Sequence, residues 1–207
     1  MKYYLKQGVF PLVYVIFMSI IAFGILMIPG LVWLKALLAV LNVSFYAFIV
    51  AAASYKEGQE AMKTLYANDL ERREIVKTGE NRPLKLHEEY KAWKGFMFGF
   101  IACVPLIVLL ALHTIVYFAT GSYMGLGAIA GLIFFAFFVF FRLNVNMSGT
   151  EGETITSASW YIFYGALIAL PIIMLSTGIA YILGAKKIKR QYEMIAEKQR
   201  SIYGDEN

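Results

Sequence analysis

Residues 54–94 read SYKEGQEAMKTLYANDLERREIVKTGENRPLKLHEEYKAWK, and this stretch decides the fold because it is the only long polar segment between blocks of hydrocarbon. Working outward from it, two apolar runs precede it, Val9–Ile28 and Leu31–Ala53, and more follow it. The whole chain of 207 residues is 59% hydrophobic and 16% charged, with mean hydropathy +0.62. A soluble domain of this length has too little interior to hide several uncharged runs of about 20 residues, the length that crosses a bilayer as helix. The composition therefore implies an all-α integral membrane protein of the cell membrane, multi-pass, with lipid as its solvent.

The stretch itself reads as helix from Ser54 to about Lys77, with Met62, Leu65, Tyr66, Leu70 and Arg73 at broadly helical spacing among charges. Thr78-Gly79-Glu80-Asn81-Arg82-Pro83 is a breaker cluster. A second short helical stretch then sets Leu86, Tyr90 and Trp93 on one side, along the membrane interface. Nine Lys and Arg residues occupy this loop, and basic residues mark the cytoplasmic side whatever acids accompany them. His87-Glu88-Glu89 invites a zinc reading, but a zincin helix needs a second His four residues on, where Lys91 stands. No metal or other cofactor is expected.

On the amino-terminal side, Lys2 and Lys6 precede a run too long for the apolar core of a signal peptide, and Pro29-Gly30 turns the chain directly into more hydrocarbon. Residues 1–53 are expected to form an uncleaved transmembrane hairpin. Trp33 and Lys35 stand near the start of its second span, where an indole rests at headgroup level and a lysine snorkels to water. Asn42, at mid-span, is a candidate polar contact to a neighbouring helix.

On the carboxyl-terminal side, residues 95–184 are expected to hold three further spans: Gly95–Thr120, Tyr123–Phe141, and one from Trp160-Tyr161 to Gly184. The expected architecture is thus a five-helix transmembrane bundle with a helical cytoplasmic loop between spans two and three. Small residues allow close helix approach in lipid, which singles out Gly95, Gly99, Gly125, Gly127, Gly131, Ala180 and Gly184 as packing positions, joining the last three spans into a unit apart from the first hairpin. Pro105 kinks the third span. His113 is the one ionisable side chain well inside a span, and such residues usually face a bundle interior. Cys103, the single cysteine, excludes a disulfide framework. Asn146-Met147-Ser148 matches a glycosylation sequon, a short pattern frequent by chance.

The tail, 185–207, opens with Lys186, Lys187, Lys189 and Arg190, positioned for orientation and for lipid headgroups, and its Ile188, Tyr192, Ile195 and Ile202 continue the last span as helix. Five crossings place this basic tail opposite the loop, with seven basic residues on its side against twelve on the other. The alternative is a re-entrant fourth segment, which brings the tail to the loop's side.

For function, the net charge of +5 suggests nucleic acid, but these charges flank apolar spans and no nucleic-acid binding is expected. No Asp or Glu lies inside a span, and no nucleophile–base pair or metal cluster is evident, so the chain is not expected to be an enzyme. The reading that remains is a non-enzymatic component of a membrane assembly, transport-associated, meeting a protein partner through the 54–94 loop or the tail. Second comes a small transporter or channel in its own right, and third an intramembrane or interfacial enzyme.

Overall fold

In a run of apolar side chains the backbone N–H and C=O groups find their partners most economically within the run, and the result is helix. The structure, a computed structural model, describes residues 2–28, 32–79, 83–120 and 156–203. Among the described residues all regular structure is helical: α1 (Lys2–Leu26), α2 (Val32–Thr78), α3 (Lys94–Thr120) and α4 (Thr156–Tyr203). All four are long and apolar enough to cross a membrane. The expected span at 123–141, with Gly125, Gly127 and Gly131, lies outside the described residues, which hold four such helices.

Two of the helices are far longer than a membrane needs. α2 has 47 residues and α4 has 48, roughly 70 Å each at 1.5 Å per residue, against about 30 Å of hydrocarbon. α2 runs without interruption through Ala53-Ser54, because a change from apolar to charged side chains leaves the backbone hydrogen bonds untouched and no proline intervenes. It stops at Gly79, whose φ of +72° suits a residue without Cβ. The Gly79 N–H still donates to the Ile75 carbonyl at 2.8 Å, closing the last turn.

The helix directions follow from which residues meet. Along α2 and α4 the partners rise together: Gly58 lies beside Tyr181, Met62 with Ala185 and Ile188, and Tyr66 stacks on Tyr192 at 4.2 Å between ring centroids. The two long helices are parallel. Along α3 and α4 the partners run oppositely, with Gly95 beside Tyr181, Gly99 beside Thr177, and the Cys103 thiol facing the Leu170 carbonyl. Thr120 and Thr156 therefore lie at the same end of the bundle, away from the loop. The tail extends beside the loop. Every Lys and Arg of the described helices except Lys35 stands at the loop's end.

The core joins all four helices, with Val15, Met18 and Ala22 of α1 packed among Ala39, Tyr46 and Val50 of α2, Ala102, Cys103 and Leu106 of α3, and Ala169 and Ile173 of α4. The first hairpin is thus part of the same core and not a separate unit. Outside it, large apolar side chains stay exposed on every helix, among them Phe17, Phe48, Val108 and Leu183. Such a surface is stable only in an apolar medium or under a partner.

Residues 83–93 form turns, not the second helical stretch expected there. Leu86 and Trp93 are exposed and Tyr90 half-buried. The reason is competition from other hydrogen bonds: the Tyr90 N–H donates to the Ala61 carbonyl of α2 at 3.0 Å, and the Glu88 N–H to Lys85 at 3.0 Å.

Candidate functional site

The geometry centres on the crossing of α2 and α4 at the level where both lose their hydrocarbon. Gly58 faces the carbonyl of Tyr181, and Gly184 faces the carbonyl of Tyr55; a Cβ on either glycine would stand 2.0 Å from that oxygen. Each glycine sits three residues from the carbonyl that the other one meets, so the contact is reciprocal. On the other side of α4, Gly95 receives the Tyr181 side chain and Gly99 the Thr177 hydroxyl, while Gly178 receives the Phe96 ring. Ala180 is buried. Small residues thus set α4 between α2 and α3 at backbone distance. Gly58 escaped the sequence reading; its signal was a glycine inside an otherwise helical charged run, where it is unfavourable unless something approaches closely.

Just beyond the crossing, a polar staple ties residues 83–94 onto α2. The buried Glu89 carboxylate accepts from the Asn68 amide at 2.8 Å and from the Arg72 guanidinium at 2.5 Å. Arg72 also reaches Asp69 at 2.7 Å. Asn68 returns its oxygen to the Lys85 N–H at 3.4 Å. Lys94, buried at the first residue of α3, donates to the His87 carbonyl at 2.7 Å and to the Glu89 carbonyl. His87 itself is exposed on this turn. Tyr90 stacks on Tyr181 at 5.6 Å, and burial pushes its phenol above the ordinary tyrosine range. Asn68, Glu89 and Lys94 carry no mark in the sequence, because burial of a charged residue follows from a distant partner.

The intramembrane candidates sit in the core. The Asn42 amide donates to the Met18 carbonyl at 3.0 Å and the Tyr46 hydroxyl to the Pro11 carbonyl at 3.3 Å, both joining α2 to α1. His113 is buried on α3. Lys35, expected to snorkel, is buried near the start of α2. Among the described residues no three His, Cys, Asp or Glu stand close enough together to hold a metal ion.

No family model, curated protein or solved structure matches this chain.

What the site can do therefore rests on its own chemistry. Lys186, Lys187, Lys189 and Arg190 follow the crossing directly and are exposed. Two grooves flank α4 there. One, about 590 Å³, is lined by Tyr55, Leu183, Lys186, Lys187, Arg190, Gln191 and Met194. The other, about 390 Å³, is lined by Met62, Tyr90, Ile182, Lys186, Lys189, Arg190 and Glu193. In the second groove Lys189 is paired with Glu193 at 3.8 Å. The first holds three cations and no acid.

Proposed function

We propose that the chain is a multi-span protein of the cell membrane, with the loop and tail in the cytoplasm, acting as a non-enzymatic component of a membrane assembly associated with transport. The observation that carries this reading is the pair of parallel helices projecting beyond the apolar part of the bundle. Past Ala53, α2 continues for roughly 37 Å, and past Gly184, α4 continues for roughly 28 Å. They are held together at Tyr66 and Tyr192, and beyond that stack Leu70, Val76, Met194 and Ile195 stay exposed. A rigid projection with apolar side chains near its tip suits a protein partner better than it suits a substrate path. The cytoplasmic assignment draws on the basic residues of the loop, the amino-terminal turn and the tail standing at one end.

A transporter in its own right ranks second. Its polar path would have to use Asn42 and His113, and Asn42 is already committed to the Met18 carbonyl. The discriminating experiment is purification in mild detergent with identification of co-purifying proteins, repeated with Leu70→Glu/Ile195→Glu. A stoichiometric partner lost from the variant supports the assembly reading. A lone protein that transports solute after reconstitution overturns it.

A further inference from the structure

The first of the two grooves beside α4 continues an apolar stripe on the same helix. Leu175, Ile179 and Leu183 form an exposed stripe at spacing four on α4, the spacing that keeps side chains on one helical face. One turn further the same face becomes Lys186, Lys187 and Arg190, and Met194 closes it. Tyr55 borders the groove from α2, two residues after that helix's apolar run ends at Ala53. The transition from hydrocarbon to cation thus occurs at one level on both helices, the level of a membrane surface.

Charge identifies the occupant. Lys186, Lys187 and Arg190 make no ion pair among the described residues; the neighbouring groove shares Lys186 and Arg190, but its Glu193 is paired with Lys189. Three cations converging above an apolar stripe complement a phosphate above an acyl chain, and Arg in particular binds phosphate oxygens two at a time. The mouth belongs to two helices locked at backbone distance by Gly58 and Gly184, so the cations are carried on a fixed frame and not on a mobile tail.

We propose that the groove bounded by Tyr55, Lys186, Lys187 and Arg190 binds one anionic phospholipid, its phosphate among the three cations and an acyl chain along Leu183, Ile179 and Leu175. The site rests on the reading that the chain spans a membrane with this end at the surface. Its role is to make the position of the projecting pair depend on the anionic lipid of the facing leaflet.

The test is native mass spectrometry of the full chain released from detergent with equal amounts of phosphatidylglycerol and phosphatidylcholine of the same acyl length. The expected result is one phosphatidylglycerol retained in preference. Lys187→Gln/Arg190→Gln should weaken that retention about 10- to 30-fold, taking the usual contribution of a cation near an anionic surface for each residue. Lys198→Gln/Arg200→Gln, which removes the same charge further out on α4, should leave it unchanged. Equal retention of both lipids, or an equal loss in the outer variant, overturns the site in favour of diffuse attraction. Displacement by soluble glycerophosphoglycerol as readily as by the lipid also overturns it, in favour of a soluble anion. Alkaline extraction of membranes separates the two readings: release of the chain sinks the membrane assignment itself, whereas a chain that stays in the membrane without lipid preference sinks only the site.

Discussion

Replacing Gly58 by alanine sets two effects of opposite sign against each other. In a helix interior, alanine is favoured over glycine by about 1 kcal/mol, because glycine gives up more backbone freedom on ordering. Taken alone this makes Gly58→Ala stabilising. The structure reverses the sign. The new Cβ would lie 2.0 Å from the Tyr181 carbonyl oxygen, 2.8 Å from its carbon and 3.0 Å from its Cα. These are backbone atoms that no rotamer change can move, so α2 and α4 must part by roughly 1 Å to restore contact near 3.3 Å. A gap of that size forfeits a quarter to a half of the dispersion energy of the atoms along the crossing, and overpacking of this kind costs about 1 to 3 kcal/mol. A net loss of about 1 to 2 kcal/mol is expected after the propensity gain. Gly184→Ala should behave alike, and the double variant should lose less than the sum, because the helices are already parted by the first change. Gly24→Ala is the control, since nothing lies within 4 Å of a Cβ there. The assay is the temperature at which half the detergent-solubilised protein has left the monodisperse peak on size exclusion. Gly58→Ala as stable as wild type, or more so, would refute the close crossing, and Gly24→Ala falling as far would show that the assay reads something other than helix contact.

Two further outcomes are expected. On a Cys103→Ser background, single cysteines at Thr78 and at Ser201 should both resist membrane-impermeant thiol reagents in intact cells; opposite labelling of the two would break the parallel arrangement, and labelling of both would invert its orientation. Glu89→Ala removes the acceptor shared by Asn68 and Arg72 and should cost about 1 to 3 kcal/mol, read as faster limited proteolysis between Gly79 and Trp93, whereas unchanged cleavage would show that the staple holds nothing.

Apolar runs made the first, second and third helices legible, because a helix in hydrocarbon depends on little but length. What escaped was everything decided by a distant partner. The sequence shows a change of character at Ser54, which suggested a boundary, yet the backbone ladder of α2 crosses it unbroken and only the solvent changes. Ala180 and Gly184 pointed to a packing face, but Tyr55 and Gly58, which meet Gly184 and Tyr181, are more than a hundred positions earlier. The expectation of a helix at 86–93 came from Leu86, Tyr90 and Trp93, three residues that satisfy the period without sharing a face in the structure. There the Lys94 ammonium captures the carbonyls of His87 and Glu89, and a buried cation seeking oxygen outweighs weak amphipathicity. Counting charges left the side of the tail open, because the count is only as good as the number of crossings assumed.

The parallel pairing of α2 with α4 also has a consequence in time. α2 and α4 are far apart in the chain, so Met62 meets Ile188 only after about 126 further residues are made, on the order of ten seconds at the pace of synthesis. Through that interval the Gly58 face of α2 is complete, exposed and without its mate. A nascent chain in this state presents a ready seam to any chaperone or wrong helix that arrives first, and α4 acts as the fastener that ends the exposure.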